Sequence, residues 1–179
     1  MKLPLAILAL FTSLALAGCS TAPKSEQGKT DIRDKAAATL ATAESNDPTL
    51  TPIIHDAKGY AVFPSVGKGA VGVGGAYGKG VLYEGGEFSG YCDLSQASIG
   101  LQLGGQSYSE IIAFSTDDAL KNFKTGNLAF DAQATAVALK KGAGSNAKYS
   151  KGVAVFTMAE SGLMFEASVG GQKFSYQPK

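Results

Sequence analysis

The sequence contains one histidine, two cysteines and no tryptophan, and it carries almost no net charge. A lone histidine, His55, cannot build a metal site, because such sites need several nitrogen, sulfur or carboxylate ligands. No nucleophile lies near it in sequence, so Ser–His or Cys–His catalysis has no seat there. His55 sits beside Asp56 on a short helical stretch and reads as a surface or packing residue. Charge excludes a further class. There are 16 Lys and Arg against 15 Asp and Glu, and without Lys2 the two signs balance. A neutral domain lacks the basic footprint of a nucleic-acid binder. With no nucleophile–base pair and no ligand cluster, neither catalysis nor a metal or other cofactor is expected.

A membrane-spanning run is missing too. Leu3 to Leu16 is apolar but too short to cross a bilayer. It follows Lys2 and ends in Leu16-Ala17-Gly18-Cys19, which resembles the bacterial lipobox. The resemblance implies that residues 1–18 are a lipoprotein signal peptide and that Cys19 carries the lipid, diacylglyceryl and palmitate-type chains. Ser20, which is not Asp, implies export to the outer membrane, facing the periplasm or the cell surface. The bland alternative is a plain secretory signal followed by a coincidental cysteine. Each buried methylene contributes about 0.8 kcal/mol, so two or three acyl chains anchor a protein for good. Residues 19–29 are polar, contain Pro23 and Gly28, and read as a lipidated tether. Residues 30–179 then form a single domain, long enough for a proper core. With Cys19 consumed, Cys92 has no partner for a disulfide. Gly90-Tyr91-Cys92-Asp93-Leu94 puts Cys92 on a strand face with Phe88 and Leu94, as a small buried hydrophobe.

Glycine, by contrast, is abundant, with 23 residues, and it is densest in Lys58 to Gly80, KGYAVFPSVGKGAVGVGGAYGKG. Read with period two, Val71, Val73 and Tyr77 share one face, and Ala70, Gly72, Gly74 and Ala76 share the other. One face is bulky and the other is almost bare backbone. Glycine weakens a strand, so a helix, a second sheet or a ligand is expected against the bare side. Gly67-Lys68-Gly69-Ala70-Val71-Gly72 also satisfies G-x-G-x-x-G, but more glycine and alternating valine follow, which cannot open the required helix. A phosphate-binding P-loop fails as well, since Pro23 stands where Gly28-Lys29-Thr30 would need a glycine.

The remaining elements follow in order. Thr30 or Asp31 caps a helix to about Ser45, and Thr51-Pro52 opens a short helix that ends before Gly59. Tyr60 to Pro64 is a short strand, and Ala70 to Tyr77 is the bare-faced one. Gly80 to Glu84 and Glu87 to Leu94 form a hairpin around Gly85-Gly86. Glu84 and Glu87 read as solvated residues of its tip. Ser98 to Leu103 alternates, with Ile99, Leu101 and Leu103 inward, and Gly104-Gly105 turns the chain into Tyr108 to Phe114. Ser115-Thr116-Asp117-Asp118 starts a helix that Gly126 stops. Leu128 to Leu139 reads as strand. Lys140 to Gly152 is a loop with Lys140, Lys141, Lys148 and Lys151, either simply solvated or a phosphate-facing rim. Val153 to Ala159 and Leu163 to Val169 form a last hairpin, with Phe174 to Tyr176 closing. The fold class is α+β: an antiparallel β-rich sheet, barrel-like or sandwich, with N-terminal helices and one inserted helix.

The run Ala57-Lys58-Gly59-Tyr60-Ala61-Val62-Phe63-Pro64, with Gly74-Gly75-Ala76-Tyr77-Gly78-Lys79-Gly80-Val81 after it, resembles the SYLF-domain family. The likeness continues through Gln106-Ser107-Tyr108-Ser109-Glu110 and Gly126-Asn127-Leu128, covering roughly Asp31 to Tyr176. It implies a phospholipid-binding module, with ordinary anionic phospholipids as ligands, and no catalytic residue is implied. The actin binding of some eukaryotic members is not carried over to a bacterial envelope. Candidate lipid-binding residues are Lys58, Lys68, Gly72, Gly74 and Lys79 around the glycine-rich stretch, with Lys140 and Lys141 in the late loop. The competing expectation is a structural or interaction protein that docks an envelope partner through the glycine-rich strand.

Overall fold

Ser25 opens the first helix: its Oγ accepts a hydrogen bond from the Gly28 amide at 3.1 Å. The computed structural model describes residues 21–71, 73–99, 104–128, 130, 136–160 and 169–179, and in it α1 spans Glu26–Asn46. The expected cap at Thr30 or Asp31 was therefore too late, and so was the end of the tether. The polar run Glu26 to Lys29 is helical because Ser25 caps it and Glu26 pairs with Lys29 at 2.7 Å. Helix α2 spans Leu50–Asp56, two residues earlier at its start than Thr51 and Pro52 suggested. Helix α3, Asp117–Lys124, starts where expected, with the Thr116 hydroxyl accepting from the Ala119 amide at 3.2 Å. Gly126 follows it in the left-handed region, φ 72°.

Among the described residues, seven strands make one sheet: β1 Gly59–Val71, β2 Val73–Glu84, β3 Glu87–Ile99, β4 Gly104–Phe114, β5 Val137–Ala138, β6 Val153–Ala159 and β7 Gln172–Pro178. Their order is β5-β6-β4-β1-β2-β3-β7, antiparallel throughout except for the β5–β6 pair. The mixed α+β class holds, as one sheet rather than a two-sheet sandwich. Gly85 and Gly86 close the β2–β3 hairpin at φ 57° and 82°, as a two-residue primed turn requires.

Several strand boundaries differ from expectation. Pro64 does not end β1. The strand passes it through a bulge, where the register to β2 jumps between Val62 and Ser65, so the missing N–H sits out of the ladder. The glycine-rich stretch is two strands rather than one, since Ala70 pairs with Gly74 and Val71 with Val73. Gly104 and Gly105 are already in β4, paired to Ala70 and Gly69, instead of forming the turn. Among the described residues of 128–139, Val137 and Ala138 form strand and Leu128, Phe130 and Ala136 do not, although Leu128 and Phe130 pack on the core. Gly72, the stretch from 100 to 103 with Leu101 and Leu103, and the strand expected from Leu163 up to 168 lie outside the described residues. Val169 is buried but outside any strand.

The sheet has two covered faces. The outer face carries Tyr60, Val62, Val81, Ile111, Ala113 and Phe156 against Ala36, Ala43, Leu50 and Ile54 of α1 and α2. The inner face carries Phe63, Val66, Leu82, Leu94, Ile112 and Phe174, plugged at one end by Leu120 and Phe123 of α3. Gln172 on β7 bonds to Glu110 on β4 at 2.9 Å, though those strands stand four places apart. Flat, four spacings amount to about 19 Å. The sheet is therefore curled around its inner face, and Phe63 and Phe174 meet across it at 6.1 Å.

Two side-chain expectations change. Glu84 is no solvated tip residue: it pairs with Lys124 at 2.8 Å and accepts from the Ser89 hydroxyl. Phe88 does not share a face with Cys92. A register shift at Leu82/Tyr83 turns it to the outer face, where it meets Tyr91 at 5.2 Å and Arg33 at 5.4 Å. Cys92 is buried on the inner face, and burial pushes its thiol well up.

Candidate ligand site

The inner face is apolar beside α3 and polar towards the opposite end of the sheet. Alternation along β4 forces this, because Tyr108 and Glu110 share the inward face of Ile112 and Phe114. Thr157 on β6 stands directly opposite Glu110, and Gln172 reaches in from the start of β7. All four residues are at most 2 % exposed. The Gln172 amide nitrogen donates to Glu110 Oε2 at 2.9 Å. Among the described residues, Glu110 Oε1, Tyr108 Oη, Thr157 Oγ1 and Gln172 Oε1 have no hydrogen-bond partner. Gln172 also lies near the Tyr108 hydroxyl, but without the geometry of a hydrogen bond.

Burial raises the Glu110 carboxyl to about 8, with the Gln172 bond pulling slightly the other way. At neutral pH the group is therefore mainly protonated and presents an O–H donor. Burial likewise raises the Tyr108 phenol, helped by Glu110. Glu110, Tyr108 and Thr157 thus offer three O–H donors and Gln172 one amide oxygen. Such a set suits carbonyl or ester oxygens better than a bare anion, because it holds no fixed positive charge. Among the described residues no three metal-ligating side chains converge, and no helix is long and apolar enough to cross a membrane.

Charge reaches this side of the sheet through Lys68. Lys68, Ala76, Gln96 and Gln172 are successive cross-strand partners on β1, β2, β3 and β7, so they share the inner face. Lys68 is half-buried. Lys79 lies on the opposite face, where it pairs with Asp93 at 3.2 Å and donates to the Thr21 carbonyl at 2.9 Å. Burial would lower the Lys79 ammonium, yet the Asp93 carboxylate outweighs it and the shift is upward. At Asp93, the more buried partner, burial prevails over Lys79 and the carboxyl is also raised.

The other candidate residues are dispersed. Gly74 is buried in β2 between Ala70 and Ser98, and Gly72 lies outside the described residues, as does Cys19. Lys58 is exposed just before β1, with its amide bonded to the Phe114 carbonyl at 2.8 Å. Lys140 and Lys141 are exposed beyond β5, at the far edge of the sheet. Sequence reasoning missed the buried quartet. Its signal was faint: Glu110 alternates with Tyr108 and Ile112 in a strand whose inward positions are otherwise apolar.

A second concavity of about 500 Å³ lies on the outer face, between Lys35, Thr39 and Thr42 of α1 and Ser65, Met158 and Glu160 of the sheet. There Ser65 donates to Glu160 at 3.1 Å, and Ser107 also bonds to it. These groups lie at an exposed rim, where the Glu160 carboxylate accepts from both serines.

Comparison with known proteins finds a family model that matches part of the chain. Residues 95–178 match the family described as Ysc84, Las17-binding protein actin regulator. They take in β4, α3, β6 and β7, and hence all four residues of the buried quartet. The chain is also 27 % identical over 151 residues to beta cell expansion factor A of Aeromonas veronii, a match covering 83 % of this chain. It spans 57 % of that protein's length.

Proposed function

We propose, for a chain whose residues 95–178 match the Ysc84 (SYLF) family, a lipid-anchored envelope protein whose domain binds phospholipid. One observation carries the reading: the inner face grades from apolar side chains beside α3 to a buried set of O–H donors with Lys68 alongside. A phospholipid has the same gradient, from acyl chain through ester oxygens to phosphate. Cys19 supplies the attachment to the outer membrane, and the folded domain supplies recognition. Catalysis is not proposed, nor is actin as a partner in a bacterial envelope. The whole-protein activity of the Aeromonas relative is not transferred either.

Vesicle co-sedimentation of the non-acylated Cys19→Ser protein tests this reading. Binding to anionic vesicles is expected, and Lys68→Ala should weaken it about fivefold, since one lysine near an anionic surface contributes about 1 kcal/mol. The loss should shrink at high salt. Lys140→Ala with Lys141→Ala should cost less, because these residues lie outside the curled face. Failure of the folded protein to pellet with vesicles of any composition would overturn phospholipid binding. The second reading, docking of an envelope protein through the β1–β2 hairpin, draws on the exposed Tyr77, 52 % accessible. It predicts association that ignores lipid.

A further inference from the structure

Residues just after Cys19 do not hang free of the domain. Thr21 and Ala22 lie across the outer face of β2, β3 and β7. The Thr21 hydroxyl donates to Ser175 Oγ at 3.3 Å, and its carbonyl accepts from Lys79 at 2.9 Å. The Ala22 amide donates to Gln177 Oε1 at 3.1 Å, and Ala22 itself is 5 % exposed. The three strands carry these contacts in register. Lys79, Asp93 and Ser175 form one cross-strand row, and Val81, Tyr91 and Gln177 form the next row towards α3. Ala22 thus sits over the Tyr91–Gln177 row and Thr21 over the Asp93–Ser175 row. The next row on the side away from Ala22 is Tyr77, Ser95 and Lys173.

Covalent geometry limits where the chain can go. Two residues reach at most about 7 Å, which is one step of two residues along a strand. Cys19 therefore cannot stand further than one row from Thr21. All three residues of that row are exposed, and Tyr77 is the more exposed of the protein's two exposed large hydrophobics among the described residues. A tyrosine suits the boundary between acyl chains and water, and a lysine suits anionic head groups.

We infer that the outer face around Tyr77 and Lys173 rests against the bilayer that holds the lipid on Cys19. The inference depends on the lipid anchor proposed above and adds an orientation to it. The domain is held down on the membrane by that patch instead of being lifted away by a tether. The inner-face end that carries Lys68 is then brought near the lipid surface, because Lys68 is the cross-strand partner of Ala76, the neighbour of Tyr77.

The absence of tryptophan makes the test direct. The full-length acylated protein is reconstituted in vesicles containing bromine-labelled phosphatidylcholine, carrying either Tyr77→Trp or, as a control, Tyr149→Trp. Tyr149 is exposed in the loop before β6. The structure requires loss of emission on adding the brominated lipid for Tyr77→Trp and none for Tyr149→Trp. Inserting about 12 Gly/Ser residues between Ser20 and Thr21, a spacer of about 20 Å, should restore emission while the protein stays membrane-bound. Membrane-bound protein with unquenched Tyr77→Trp overturns the orientation alone. Wild-type protein that fails to partition with vesicles overturns the anchor, and the orientation with it.

Discussion

The Asp47 carboxylate accepts a hydrogen bond from the Gly144 amide at 2.5 Å, across 97 positions of chain. It also accepts from the Gly142 amide at 3.1 Å and from the Thr49 hydroxyl at 2.6 Å. One fully buried acid thus fixes the α1–α2 corner and the lysine-bearing loop together. Burial works to raise its carboxyl, but the bonds from Thr49, Gly144 and Gly142 prevail and hold it low. Asp47→Ala should destabilise the fold by about 3 kcal/mol, because the buried Gly144 amide and the half-buried Gly142 amide lose a charged acceptor. The depressed folded-state value also means that this stabilisation is present above the unfolded-state pKa and fades as pH falls through the folded one. Urea unfolding at neutral and acid pH checks both claims. An Asp47→Ala protein as stable as wild type at pH 7 refutes them.

Glu110 gives the opposite pH dependence. Its folded-state value of about 8 lies above the usual 4.5. Below about pH 4.5 both folded and unfolded chains hold the proton, and stability is unaffected. Between about 4.5 and 8 the unfolded chain releases a proton that the fold retains, so stability falls by up to about 1.4 kcal/mol per pH unit. Glu110→Gln should flatten that fall and be the more stable protein at pH 8. Identical slopes for the two proteins from pH 5 to 8 would show that Glu110 titrates normally.

Glycine positions in the curled sheet should differ sharply in tolerance. A Cβ on Gly80 would lie 2.6 Å from the Val62 carbonyl oxygen and 2.7 Å from the Phe63 ring. A Cβ on Gly67 would meet nothing within 4 Å. Gly80→Ala should cost about 1–3 kcal/mol by overpacking, and Gly67→Ala should be neutral or mildly stabilising. Thermal melts of the two variants decide it; equal melting temperatures would mean that β1 and β2 are free to part at the bulge.

Cys92 should resist thiol reagents. It is fully buried and its thiol is raised by burial, so little thiolate forms and none is accessible. In the Cys19→Ser protein it is the remaining thiol. Reaction with a chromogenic disulfide is expected in urea and not in buffer. Rapid reaction under native conditions would place Cys92 at the surface.

Periodicity made most of the elements legible. Gly85-Gly86, Thr116-Asp117 and Gly126 announce themselves because each answers a local backbone demand, a primed turn, an N-cap and a left-handed stop. Pro64 misled because a bulge is set by the partner strands, which local sequence does not display. The same limit left the glycine-rich stretch as one strand, since small residues make the turn and the strands look alike. Lys68 and Lys79, grouped by nearness in sequence, fall on opposite faces once β1 and β2 pair back on each other. The quartet around Glu110 was least legible. Its members come from three strands, and only the curl of the sheet brings Gln172 to Glu110.

The end of the sheet at β7 has a consequence for self-association. Among the described residues the sheet ends at β7, which pairs with β3, so continuation by a further extended chain would take place along the other side of β7. Two features discourage such growth. Lys173 is exposed near the start of the strand, where stacked copies would bring like charges together. Pro178 closes the strand without an N–H to offer. Replacing both would remove what stops one sheet from being continued by another.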